Sequence, residues 1–267
     1  MARTVRIGTR VGGTGARRRA LAFAALAVVT ACAGGHGARD SAAPAANAAG
    51  TASGGGTDSA GSGWVALFDG SGLSQWRGYK RQEVPAGWRV AEGALAFEPG
   101  GDSSSRGDIM TRGQYSDFEL AYEWRIAPGG NSGVMYRVDA GHQFPWETGP
   151  EMQVLDNARH PDGKNALTSA AAVYALYAPP SDVTRPVGEW NSARIVARGA
   201  HVEHWLNGTK TAEYERGSDD WRRRVKASKF ATMPAFGTLA RGHIVLQDHG
   251  DRVWYRNIRI RSFDGAS

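Results

Sequence analysis

Residues 118–126 read Phe-Glu-Leu-Ala-Tyr-Glu-Trp-Arg-Ile, an apolar–polar alternation held over nine positions. A period of two over that length is the pattern of a strand with one buried face, and it does not suit a helix, whose period is 3.6. The segment therefore asks for a sheet neighbour on each side and an apolar layer beneath. Two hairpins supply part of that need. Trp88–Phe97 turns at Glu92-Gly93, and 201–206 meets 209–214 across Asn207-Gly208, a pair suited to a two-residue turn. Further strands are expected over 134–138, 152–155, 192–198, 242–247 and 253–260. One short helix is expected after Ser218, which can cap Asp219, Asp220, Trp221 and Val225. Its Arg222, Arg223, Arg224 and Lys226 read as a solvated face. Many short strands with Gly, Pro and Asn between them give an all-β sandwich or barrel.

The nine Trp all lie at or after Trp64, and the chain before it has a different character. Residues 1–31 carry six Arg and no acid, with an apolar run over 20–29, as an export signal does. The sequence 29–32, Val-Thr-Ala-Cys, resembles a bacterial lipobox, so Cys32 is the expected lipidation site. Residues 32–63 form an Ala/Gly/Ser-rich tether without an aromatic, too poor in apolar surface to fold. The folded domain is then 64–267. Removing the six leader Arg from 32 Lys+Arg leaves 26 bases against 26 Asp+Glu, so the net charge of +6 belongs to the leader. No nucleic-acid partner is implied, and membrane association is expected only through the lipid, on the bacterial cell envelope.

Strand parity also sorts polar residues. With Val134 and Tyr136 inward, Asn131, Gly133 and Arg137 face away; with Met152 and Val154 inward, Glu151 and Gln153 do; with Ile244 and Leu246 inward, Gln247 and His249 do. Glu123 takes the outward face of its own strand. Amides, guanidinium and acids on one face suit vicinal sugar hydroxyls, and Phe144 and Trp146, in a loop with two Pro, suit sugar rings. A carbohydrate-binding face is the resulting expectation. Asp156, Asn157, His160 and Asp162 cluster in a loop where alternating oxygen ligands would suit calcium, though Asx-rich loops also form plain turns. His201 and His243 read as surface residues. The sequence holds no phosphate-cradling Gly loop, no G-x-S-x-G and no H-E-x-x-H.

Several ordered motifs carry a resemblance: Trp64-Val-Ala-Leu-Phe-Asp-Gly70, Gly129-Gly-Asn-Ser-Gly133, Met135-Tyr-Arg137, Glu147-Thr-Gly-Pro-Glu-Met-Gln-Val-Leu-Asp-Asn157, His204-Trp-Leu-Asn-Gly208 and Gly242-His-Ile-Val-Leu-Gln-Asp-His-Gly250. They are similar to the secreted bacterial family of 3-keto-disaccharide hydrolases over essentially all of 64–263. The resemblance implies a concanavalin-like jelly-roll sandwich with a sugar-binding sheet, and activity on glycosides already oxidised at carbon 3. Glu151-x-Gln153-x-x-Asp156 also resembles the catalytic strand of family-16 glycosidases, but Gln153 stands where a second carboxylate is needed for a retaining pair about 5–5.5 Å apart.

A 3-keto sugar offers elimination instead, because the ketone acidifies the hydrogen on carbon 2. Glu123, Glu151 and His249 are the candidate catalytic groups, with Glu151 and His249 exchanging the protons. Arg137 or a divalent cation would hold the enolate oxygen. Glu123, Gln153, Asn131, Gln247 and Asp156 would position hydroxyls, with Trp146 and His204 at the rim. For His204, whose parity is that of Val202 and Leu206, a buried role is the alternative. A sugar 3-dehydrogenase would act upstream. The alternative function is a lectin-like binding module, to which so many titratable groups on one face would be of little use.

Overall fold

The computed structural model describes residues 63–263; the leader, Cys32 and the tether fall outside them. Two antiparallel sheets pack face to face. The larger runs in the order β11 (Thr209–Glu215), β10 (His201–Leu206), β9 (Asn191–Arg198), β6 (Phe118–Ile126), β13 (Val253–Ser262), β4 (Ala94–Phe97) and β3 (Trp88–Ala91), with β1 (Trp64–Phe68) also paired to β13. The smaller runs β2 (Trp76–Gly78), β5 (Ile109–Thr111), β12 (His243–Leu246), β7 (Asn131–Val138) and β8 (Glu151–Leu155). This is the jelly-roll sandwich expected. Glu92-Gly93 and Asn207-Gly208 turn their hairpins with positive φ at both central residues, the twist-matched turn. Among the described residues the one α-helix, α1 (Asp219–Lys226), starts at Ser218, whose hydroxyl accepts the Trp221 N–H.

The core lies between the sheets. Phe118, Leu120, Tyr122, Trp124 and Ile126 from β6 are all buried against Val134, Tyr136, Met152, Val154, Ile244 and Leu246 of the smaller sheet. Each such side chain withdrawn from water contributes about 1.5–3 kcal/mol. Some of the polar atoms among them pair across the gap: the Tyr255 and Ser132 hydroxyls lie 2.8 Å apart, and the Tyr136 hydroxyl meets His204 Nε2 at 2.9 Å.

Two local features decide what the outside of the smaller sheet presents. The segment after residue 168 covers the free edge of β8: Ala171 N–H donates to Gln153 O, and Tyr174 N–H donates to Glu151 O. Between β7 and β12 the register slips, with Met135 opposite Val245 but Val138 opposite His243. The extra residue is accommodated as a bulge, and Arg137 within it has φ +53°.

Candidate active site

On β7 and β8, Met135 pairs with Glu151 and Gly133 with Gln153, so these four share the outer face of the smaller sheet. Met110, Met135, Val138 and Val245 form an apolar floor beside them, and Tyr79 and Trp146 pack against it. Gly133 is required here. A Cβ at that position would fall within the Glu151 carboxyl group, 2.6 Å from its carbon. Gln247 joins through its backbone, whose N–H donates to Gly133 O at 3.0 Å. Four buried acceptors of this region, Asn131 Oδ1, Glu151 Oε1, Gln153 Oε1 and Gln247 Oε1, have no hydrogen-bond partner. Leaving each unpaired costs about 1–3 kcal/mol, so the arrangement is that of a site awaiting donors, as sugar hydroxyls are.

The electrostatics single out Glu151. Burial lifts its carboxyl above the usual range, the Lys229 charge opposes that, and the Asp108 and Asp162 charges add to it. Lys229 is itself lowered by burial, with Glu151 and Asp162 pulling the other way. Its Nζ lies 4.2 Å from the Tyr174 ring centre and 5.8 Å from that of Trp146. Asp108 is pushed up to about 7 by burial, against the Asp248 N–H that donates to its Oδ1 at 2.8 Å. Trp146 stacks on Phe144 with 5.0 Å between ring centres. Glu147 braces that loop by accepting the Gln143 and Phe144 N–H groups. A cavity of about 540 Å³ opens beside α1, lined by Trp221, Phe230 and Phe236, but no carboxylate lines it. Gly133→Ala is expected to displace the Glu151 carboxyl and lower kcat about 100-fold; steady-state kinetics with a melting curve of the variant checks this.

The structure brings together Glu151, Gln153, Asn131, Gln247 and Trp146, and it removes others. Glu123 lies on the far side of the sandwich, on the outer face of the larger sheet, held by Arg256 Nε at 2.7 Å and Asn257 Nδ2 at 3.0 Å. Its parity was right but its sheet is the other one. Arg137 is turned away by the bulge; it is buried and donates to Ser116 O, to Gly199 O at 2.8 Å and to Asp117. It ties the two sheets and holds no enolate. Arg137→Met is therefore expected to cost roughly 3 kcal/mol of stability while leaving kcat of the folded fraction unchanged, as urea unfolding and kinetics would report.

His204 is fully buried and held neutral, its pKa driven down to about 3 by burial, so the alternative role is the one observed and it forms no rim. Asp156 is a buried turn former: Oδ2 accepts the Gly129 N–H and Oδ1 the Ala158 N–H. His243 is buried rather than superficial, with Nδ1 2.8 Å from Thr111 O. His249 stands half-exposed at the rim, two residues beyond Gln247, beside His160 and Asp251. Sequence reasoning missed Asp108 and Lys229. Asp108 directly precedes the short strand β5, where Ile109 faces in and Met110 out, but Gly-Asp-Ile-Met-Thr shows no alternation to mark it; Lys229 sits in a short 3-10 turn (Lys229–Thr232) with no periodicity either.

Comparison with known proteins shows the family. A family described as the 3-keto-alpha-glucoside-1,2-lyase-like domain matches residues 63–261. The chain belongs to this family. A 3-keto-disaccharide hydrolase of Bacteroides thetaiotaomicron is 33% identical over 229 residues, which cover 76% of this chain and 79% of that protein. A solved structure of a candidate glycosyl hydrolase from Parabacteroides distasonis superposes with a TM-score of 0.69 at 31% identity, covering 75% of this chain and 94% of that one. A second from the same organism gives 0.58 at 28% identity, covering 75% and 99%. As a member of the 3-keto-alpha-glucoside-1,2-lyase-like family, the chain is an enzyme of glycoside cleavage, and the family resemblance read from its motifs holds over the whole described domain.

Proposed function

We propose that the outer face of the smaller sheet cleaves the glycosidic bond of sugars oxidised at carbon 3, by elimination followed by addition of water. The observation that carries this reading is the company Glu151 keeps: a buried carboxyl raised toward neutrality, with a lysine charge beside it and an amide, Gln153, in place of a second carboxylate on its strand face. A base of that kind is matched to abstraction of a carbon-bound proton at neutral pH. The proton on carbon 2 and the oxygen on carbon 3 belong to adjacent atoms. The base and the cation must therefore feel each other's charge, as Glu151 and Lys229 do.

Glu151 takes the proton from carbon 2, and the pair of electrons moves onto the carbon-3 oxygen, whose charge Lys229 stabilises. The enolate then re-forms the ketone, the carbon 1–carbon 2 double bond forms, and the bond from carbon 1 to the leaving oxygen breaks. Asp108, poised near neutrality, gives that oxygen its proton. Water adds at carbon 1 and a proton returns to carbon 2. Gln153, Asn131 and Gln247 accept hydroxyl hydrogens, and Trp146 with Phe144 offers ring faces to the sugar. Asp108 here takes the proton-transfer part first given to His249, and Lys229 that given to Arg137.

The full chain incubated with a 3-keto-disaccharide and with its unoxidised parent tests the reading. Cleavage of the ketone alone, with solvent deuterium appearing at carbon 2, is the expected result. Equal cleavage of the parent would mean direct displacement, and binding without cleavage a lectin. Export and lipid attachment at Cys32 belong to the same proposal, as does an upstream sugar 3-dehydrogenase that supplies the ketone. Mass spectrometry of the mature N-terminus should find Cys32 acylated; an unmodified or absent Cys32 would remove the anchor.

A further inference from the structure

At the rim of the same face, two loops bring together His160, His249 and Asp251. One ligand atom from each lies within 4.8 Å of the other two. The imidazole rings are 6.0 Å apart, centre to centre, at 80°, and His249 Nδ1 is 3.9 Å from Asp251 Oδ2. That spacing is too long for hydrogen bonds among them and right for a shared central ion. We propose that these three residues form a binding site for a divalent transition-metal cation of the zinc and cobalt class.

The donor set makes the choice. Two imidazoles with one carboxylate suit zinc, cobalt or nickel, whereas calcium and magnesium take oxygen. Asp251 is held in place by the Asn131 N–H, which donates at 3.1 Å to Oδ2, the same oxygen that faces His249, a support of the kind ligating carboxylates commonly have. Three protein ligands leave coordination positions open to water or to an oxygen of a bound molecule. Asn131 lies two residues before Gly133, on which the Glu151 carboxyl rests, so Asp251 is tied to the strand that carries the sugar face.

Binding has one local cost. His160 Nδ1 accepts the Asp162 N–H at 3.1 Å, and coordination through Nε2 requires the proton on Nδ1, which releases that turn hydrogen bond. A second group with comparable spacing, His201, Glu203 and Glu213, is different in kind. There the Lys210 ammonium already sits 2.8 Å from Glu203 and 2.9 Å from Glu213, supplying the positive charge. In the first group no lysine or arginine among the described residues pairs with Asp251; Arg106 is ion-paired to Asp248 and acts on Asp251 only from further off.

The site stands independently of the reaction assigned above, and its test reads metal rather than turnover. The full chain, stripped with chelator and dialysed, is titrated with Co²⁺ while visible absorption is followed. One equivalent should bind with new visible absorption bands, Zn²⁺ should displace it, and millimolar Ca²⁺ should not. His160→Ala and His249→Ala should each weaken Co²⁺ binding at least 10-fold; in the metal-free state the melting temperature should be unchanged in His249→Ala, whose ring is exposed, and modestly lowered in His160→Ala, which also loses the bond from the Asp162 N–H. His201→Ala should bind as wild type does. Absence of binding, equal affinity in the His160 and His249 variants, or loss confined to the His201 variant would overturn the proposal.

Discussion

Glu151→Gln is expected to lower kcat on a 3-keto-glucoside by about three orders of magnitude while leaving the fold intact. The amide has the volume of the acid and keeps an acceptor over Gly133, but it cannot take a proton. KM should change little, because hydroxyl positioning by Gln153, Asn131 and Gln247 is untouched. The same variant makes a stability prediction with a definite sign. Burial raises the Glu151 carboxyl in the folded chain above its ordinary value of 4.5. Between those two values the folded state holds a proton that the unfolded state has released, so folding loses stability as pH rises through the window. The amide has no such term. The variant should therefore melt close to wild type at pH 4 and progressively above it toward neutral pH. Thermal unfolding across that range checks it. A variant that keeps near wild-type kcat would end the assignment of Glu151 as base, and a constant difference in melting temperature would mean the carboxyl is not raised.

The part of this site that the sequence could disclose was the part governed by period-two alternation. Glu151, Gln153 and Gln247 face outward because Met152, Val154 and Leu246 face in, and nothing between them disturbs the parity. Arg137 obeys the same arithmetic on paper, yet one extra residue opposite β12 rotates it out of the series. A bulge inserts a residue without a compositional mark, so its effect on every later side chain is invisible before the pairing is known. Glu123 fails for another reason. Alternation tells which residues leave the core, but a sandwich has two outer faces, and β6 belongs to the larger sheet. The hairpins at Glu92-Gly93 and Asn207-Gly208 and the helix behind Ser218 were legible because their turn and cap chemistry is local. Lys229 reaches the site through a tertiary fold-back of the segment after α1, and only packing against Tyr174 and Trp146 reveals it.

Lys229→Met is the complementary experiment, and it separates two things a cation can do here. If Lys229 holds the developing enolate oxygen, its loss should cost about 100-fold or more in kcat/KM, the scale on which removal of one oxyanion donor is felt. If it also favours the ionised form of Glu151, removing it raises the Glu151 pKa further, since the carboxylate loses an opposite charge. The rising, acid-side limb of the kcat/KM profile should then move to higher pH. Lys229→Arg should restore the position of that limb and part of the rate, because charge is kept while the donor geometry changes. Stability should not fall in the Met variant: burial disfavours the ammonium, and methionine can pack against Tyr174 and Phe230 in its place. A rate loss with the limb unmoved would leave Lys229 as an oxygen holder that does not tune the base. No rate loss at all would sink the enolate role, and the cation for carbon 3 would have to be sought at the rim.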